Sequence, residues 1–287
     1  MRRSWAAAIA DDDGEMLVIG GQNEEKAITD TEKFIFDENT WVKGPPLPDE
    51  LRNEGVEGHC IIKINKTSIF IVGGYVRPFQ FKQTFDESAV PDYGAYGATI
   101  MEWTPPQETS SDNDDFFDGF DRKSQSQDDK TKSGDYAVNF AWFYDGKAWK
   151  RAGPMIEGRD RPACGLFFKE DGDFRILVTG GCVGGCFKKA GFTNFTEVYN
   201  LSSDRWEKAE SLPEAISGAK MGSLGEKLIL IGGKYESRGK VIYNKNLYEY
   251  EPDKDAWSAL NGVKLKVGRE SPVVFPVPRS YFNSCTK

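Results

Sequence analysis

Residues able to carry chemistry are few in this sequence. Its single histidine, His59, stands directly before Cys60, and a His–Cys pair is the raw material of an activated thiolate. Both residues head an apolar run, residues 60–64, in which a packed histidine fits better than a general base. Cys182-Val-Gly-Gly-Cys186 carries two thiols across two glycines, so a local Cys182–Cys186 disulfide is expected if the compartment is oxidising. Cys60, Cys164 and Cys285 stay open between free thiol and disulfide. The acidic run 112–121 lacks the glycine placement of a calcium loop. Each Gly-Gly pair closes an apolar strand, whereas a phosphate cradle opens a helix. No catalytic residue, metal ligand or cofactor is assigned on these grounds.

The elements that must position any site are repeated. Glycine pairs end apolar strands at Gly20-Gly21, Gly73-Gly74, Gly180-Gly181 and Gly232-Gly233, and a tryptophan follows each, at Trp41, Trp149, Trp206 and Trp257. The pairs are 53, 107 and 52 residues apart. The long middle step holds an insert over residues 75–135. Within it, residues 107–135 carry nine acidic against four basic side chains, which predicts a disordered loop; residues 98–103 suit an extra strand. Each repeat reads as four short antiparallel strands with tight turns, followed by a proline-rich exit. Phe36, Phe143, Tyr199 and Tyr250 are the expected third-strand core aromatics, packing with the tryptophans between sheets. The units span about 3–48, 52–155, 159–213 and 217–260, with a closing strand within 269–285, all in one domain. A sheet of this kind cannot bury both faces alone, and radial stacking solves the problem.

An apolar strand ending in Gly-Gly, a Tyr or Phe strand, and a tryptophan after a short turn together resemble the kelch repeat, over residues 4–260 outside the insert. The resemblance implies an all-β, kelch-type β-propeller with four complete four-stranded blades plus one extra inner strand. Kelch propellers usually have more blades, so an N-terminally incomplete ring is expected. Arg3, Arg159, Arg161 and Arg269, placed before first strands, fit the family. The tail, residues 277–285, is similar to the closure of secreted invertebrate kelch proteins. The copper site of galactose oxidase, a kelch-like enzyme, needs two histidines, and one is present; that chemistry is excluded.

The resemblance implies a non-enzymatic protein-interaction module whose loops surround a central pocket. Expected contacts are Arg52, Tyr75, Arg77, Arg159, Arg161, Lys234, Tyr235 and Arg269, since Arg and Tyr are favoured in binding hot spots. Such a ring of cations suits an acidic peptide or an anionic glycan. A carbohydrate-active or metal-dependent propeller enzyme and a fragment of an intracellular kelch adaptor are the alternatives. A net charge of −8 with no basic stripe argues against a nucleic-acid partner. No apolar stretch is long enough for a membrane helix. The N-terminal residues 1–10 read as strand, because acidic residues interrupt a short apolar run. Sequons at Asn65, Asn194 and Asn200 suggest a secreted glycoprotein, with a cytoplasmic location as the alternative.

Overall fold

The computed structural model describes residues 3–10, 14–23, 27–52, 55–79, 81–83, 101–103, 134–169, 173–184, 191–224 and 227–274. Blade 1 is an antiparallel sheet of β1 (Ala7–Ala10), β2 (Glu15–Ile19), β3 (Thr31–Ile35) and β4 (Thr40–Lys43). One helical turn, α1 (Asp49–Arg52), leads out of it. Blade 2 begins with β5 (Cys60–Lys63) and β6 (Ile69–Val72). After β6 come β7 (Tyr75–Phe79), β8 (Phe81–Gln83), β9 (Met101–Trp103) and β10 (Gly134–Ala137). β11 (Ala141–Tyr144) and β12 (Trp149–Ala152) then complete blade 2 beside β6. Blade 3 runs through β13 (Ala163–Phe168), β14 (Phe174–Thr179), β15 (Thr196–Asn200) and β16 (Arg205–Ala209). Blade 4 is β17 (Ser217–Leu224), β18 (Lys227–Ser237), β20 (Asn246–Glu251) and β21 (Ala256–Lys264), with β19 (Lys240–Tyr243) paired to the far end of β18. The architecture is a four-bladed all-β propeller, in which first strands adjoin in the order β1, β5, β13, β17.

Residues 78–134 form a separate compact unit. Within it β8 and β9 make a small antiparallel pair, Phe81 opposite Trp103 and Gln83 opposite Met101. The expected strand at 98–103 is thus met by β9 over its described part. The acidic stretch 107–133 lies outside the described residues.

Each blade is locked by one aromatic pair between its third and fourth strands. Register places Phe34 opposite Trp41, Tyr144 opposite Trp149, Tyr199 opposite Trp206 and Tyr250 opposite Trp257. All four pairs have ring centroids 5.0 or 5.1 Å apart. The sequence reading named Tyr199 and Tyr250 correctly, but its Phe36 and Phe143 are corrected to Phe34 and Tyr144. Phe143 and Tyr144 are neighbours whose side chains point to opposite faces, so a one-residue slip changes the aromatic opposite the tryptophan; Phe143 is still a packing residue, partly buried against the Cys60 cluster. Phe36 lies beyond the end of β3 and is 52% exposed.

The tryptophans also join blades. Trp149, Trp206 and Trp257 donate from Nε1 to the exit-loop carbonyls of Pro46, Gly153 and Glu210 of the preceding blade, at 2.6, 2.7 and 3.0 Å. Where the acceptor residue has an N–H, a turn aspartate takes it. Gly153 donates to Asp204 and Glu210 to Asp255, and the same carboxylate oxygens accept the Tyr199 and Tyr250 hydroxyls. Pro46 has no N–H to satisfy, and the blade 2 turn after Tyr144 contains no such aspartate contact with it.

A covalent bond crosses between blades among the described residues: Cys60 of β5 is disulfide-bonded to Cys164 of β13, 104 residues away. Both are buried in a cluster with Phe70, Ile176, Tyr199 and Trp206. Closing a loop of roughly 100 residues stabilises a fold by about 4.7 kcal/mol in the chain-entropy picture. The Cys60→Ser/Cys164→Ser variant is therefore expected to unfold at a clearly lower urea midpoint than the oxidised protein. Coincident midpoints would mean that the bond does not staple blades 2 and 3.

Candidate functional site

The residues around the propeller axis are set by backbone geometry. Two residues before the start of β1, β5 and β13 stand Trp5, Gly58 and Arg161, and register puts Gly218 and Ser271 at the equivalent places. All five have left-handed φ, at 57°, 63°, 53°, 68° and 50°. Their peptides form an inter-blade ladder: Gly58 N–H donates to Trp5 O, Arg161 to Gly58 O, Gly218 to Arg161 O and Ser271 to Gly218 O, at 2.7–3.1 Å. Gly58 is required twice, because a Cβ there would also strike the Asp160 carboxylate. Trp5 and Arg161 hold the same conformation with side chains, at a cost of order 1 kcal/mol or more each.

A second ladder runs beside the first. The second glycine of each pair donates to the residue that opens the next repeat: Gly21 to Val56 O, Gly74 to Arg159 O, Gly181 to Ile216 O and Gly233 to Arg269 O, at 2.8–2.9 Å. Both glycines of every pair have positive φ, which glycine alone adopts without strain. Arg269 and Ser271 thus occupy the ring positions of a further first strand; residues 275–287 lie outside the described residues.

On this ring the side chains of three repeats converge. The Arg161 guanidinium stacks 3.8 Å over the Trp5 ring. Its Nη1 donates to Glu270 Oε1 at 3.1 Å, and its Nε is 3.5 Å from Asp160 Oδ2. Lys234 Nζ meets the other Glu270 oxygen at 3.1 Å. Trp5, Arg161, Glu270 and Lys234 therefore form one chain of cation–π and ionic contacts.

The expected contact residues divide by burial. Arg161 and Lys234 belong to the cluster just described, Arg161 buried and Lys234 partly so, and Arg269 is exposed beside it. Arg159 is fully buried: it donates to Gly180 O and Phe195 O at 3.3 and 2.7 Å and pairs with buried Glu197 at 2.5 Å. Burial pushes the Glu197 carboxyl up to about 7, against the pull of the Arg159 charge. Tyr75 is buried, bridged through its backbone to Glu57. Arg159 and Tyr75 are thus packing residues with no surface to offer. Tyr235 is partly buried against the Leu212, Ile216 and Leu230 cluster. Arg52 is exposed and pairs with Asp49 within α1. The Arg77 side chain lies outside the described residues.

Sequence reasoning missed Trp5, Asp160, Glu270 and a hairpin at the same end of blade 4. β18 runs four residues past its glycines and turns at Arg238-Gly239, where both φ are positive (52° and 73°), the signature of a tight two-residue turn. β19 returns with Tyr235 opposite Ile242 and Lys234 opposite Tyr243. Every residue of β19 is exposed; Val241 and Tyr243 are 55% and 52% accessible. The signal was available as a Gly-containing tip before a β-branched run.

The residues with chemical potential are spent on structure. Cys60 is tied to Cys164, so its sulfur cannot serve beside His59 as a thiolate while that bond holds. Burial, with the Lys220 charge adding, pushes His59 down to about 3, which keeps it neutral near pH 7. Among the described residues no group of three or more His, Cys, Asp and Glu side chains is arranged to hold a metal. Cys182 is disulfide-bonded; Cys186 lies outside the described residues. Asn65 and Asn194 are exposed and Asn200 is partly so.

The Arg159–Glu197 pair makes a sharp prediction. Arg159→Ala strands a buried carboxylate and should cost about 3–5 kcal/mol in urea unfolding, whereas Arg159→Met with Glu197→Leu should be near neutral. A loss below about 1 kcal/mol for Arg159→Ala would contradict the burial of the pair.

Comparison with known proteins agrees with this architecture. The Kelch motif family matches residues 8–48, which hold the four strands of blade 1. Kelch-like protein 40 of Mus musculus is 25% identical over 252 residues, covering 79% of this chain and 34% of its own length. Beta-scruin of Limulus polyphemus is 26% identical over 132 residues, covering 44% of this chain and 13% of its own length. The chain thus spans about a third or less of these relatives. No helix among the described residues is long and apolar enough to cross a membrane. Four in-phase blades, each closed by its glycine pair and its aromatic lock, make this chain a four-bladed β-propeller whose first blade matches the Kelch motif.

Proposed function

We propose that the protein is a non-enzymatic interaction module that binds a protein partner at the glycine-pair end of the propeller. The observation that carries this reading is β19. It pairs with β18 alone among the described strands; Gly268 packs against the Tyr243 end, so the stretch left for strand addition is 240–242. Its exposed Val241, Ile242 and Tyr243 supply apolar and aromatic anchors beside the charged ring. Lys234, paired with Glu270, offers an acidic segment of the partner a cation that it can share with or take from that carboxylate, while the buried Arg161 holds Glu270 in place. Arg269 adds an exposed charge at the same rim. An anionic glycan would use the same cations without needing the strand edge.

The Cys60–Cys164 bond supports an oxidising, extracellular setting, with glycans carried at exposed Asn65 and Asn194. Protein isolated from its source with both thiols free would speak for the cytoplasmic adaptor instead.

The test is quantitative cross-linking and affinity enrichment from the native source, comparing wild type with Val241→Asp/Tyr243→Asp. Both positions are exposed, so the fold should be kept. Partners specific to the wild type should fall at least tenfold in the variant. Recovery of the same proteins at equal yield would overturn the assignment of β19 as the contact.

A further inference from the structure

The buried arginine site of blade 3 recurs around the propeller in altered form. Arg159 serves two backbone carbonyls, one from the first glycine of the pair (Gly180) and one from the residue before the third strand (Phe195). In blade 1, Arg3 does the same, donating to Gly20 O and Asp30 O at 2.9 and 3.1 Å and pairing with Glu32. Blade 4 has Ile216 at the arginine position and Tyr248 at the glutamate position, by register. There the donor comes from elsewhere: Asn244 Nδ2 donates to Gly232 O and Asn246 O, at 2.8 and 2.9 Å. The same carbonyl pair is thus served by a guanidinium in two blades and by an amide in a third.

Blade 2 has neither donor. Register puts Val56 at the arginine position, Trp142 at the glutamate position and Val138 where blade 4 has Asn244. The corresponding carbonyls belong to Gly73 and Phe140. Around that place lies a cavity of about 10 Å3, lined by Val56, Gly73, Val138, Phe140, Trp142 and His59, with Leu51, Ile71 and Val72 behind. Two of the lining side chains carry buried polar atoms with no hydrogen-bond partner among the described residues: Trp142 Nε1 and both ring nitrogens of His59. Leaving such groups dry costs about 1–3 kcal/mol each, and a space of about 10–15 Å3 with two or more polar partners holds one water.

We infer that blade 2 holds a single internal water molecule in the place of the guanidinium. It accepts from Trp142 Nε1–H and donates toward the Gly73–Phe140 carbonyl cradle, with the neutral His59 ring as a further partner. The occupant is a neutral donor and not a cation, because Trp142 has replaced the carboxylate that balances the arginine in blades 1 and 3. The cavity has room for nothing larger.

The experiment is a water–protein NOE measurement on 15N-labelled, deuterated protein, with the Trp142 indole proton assigned by its loss in Trp142→Phe. A long-lived water should give a cross-peak to that indole proton. Val138→Asn, which places blade 4's amide in blade 2, should reduce the cross-peak at least tenfold by displacing the water. A wild-type indole proton without a water cross-peak overturns the proposal, whether or not the variant folds. A cross-peak that persists undiminished in folded Val138→Asn also overturns it, since the water would then lie outside the cradle.

Discussion

The ladder of peptide hydrogen bonds around the axis is the constraint from which the rest of the propeller follows. Left-handed Ser271, Gly218, Arg161 and Gly58 each reach by N–H the carbonyl of the counterpart one repeat back, the last of them that of Trp5 in blade 1. A left-handed residue turns the chain sharply just before the first strand. That turn brings the opening residue of the repeat under the second glycine of the previous pair, making the parallel set of bonds to Val56, Arg159, Ile216 and Arg269. Buried peptide groups must find partners, and here neighbouring blades supply them. The blades are held at the axis by directional bonds and at the rim by Trp149, Trp206 and Trp257 reaching back to the preceding exit loop. Apolar clusters fill the space between.

The same constraint shapes the charged cluster at the glycine-pair end. Where the ring residue is glycine, at Gly58 and Gly218, the neighbouring carboxylates of Asp160 and Glu270 occupy the space a side chain would need. Where it is not, the side chains of Trp5 and Arg161 stack on one another. Alternation of glycine with a large residue therefore builds the charged cluster, and the left-handed strain at Trp5 and Arg161 is localised there. The blade 4 hairpin extends β18 past the ring and sets an open strand edge beside that cluster.

Most of the fold was legible in the sequence because its signals repeat. A glycine pair and a tryptophan at a period near 52 residues specify strand ends and inter-blade packing without knowledge of the tertiary structure. The aromatic partner was misassigned in blades 1 and 2 because two aromatics or near neighbours, Phe34 and Phe36 or Phe143 and Tyr144, compete there, and only the register decides. The Cys60–Cys164 bond was not legible, since adjacency of β5 and β13 depends on how blades stack. Arg159 and Arg161 look alike in sequence, two residues apart before one strand. Both are buried, yet the first pairs with Glu197 inside blade 3 and the second, with its left-handed backbone, joins Trp5 and Glu270 on the ring. Composition carries no trace of that difference.

Native-state hydrogen exchange of the ring amides tests this account most directly. Gly58, Arg161 and Gly218 lie in turns by local geometry, and ordinary turn amides exchange through local opening. If the axial ladder holds the blades, these three amides will exchange only through global unfolding, with protection equal to that of Leu177 and Val178 in the buried strand β14. Exchange of Gly58 or Gly218 at rates typical of surface turns, while β14 stays protected, would show that the ladder is not what the propeller depends on.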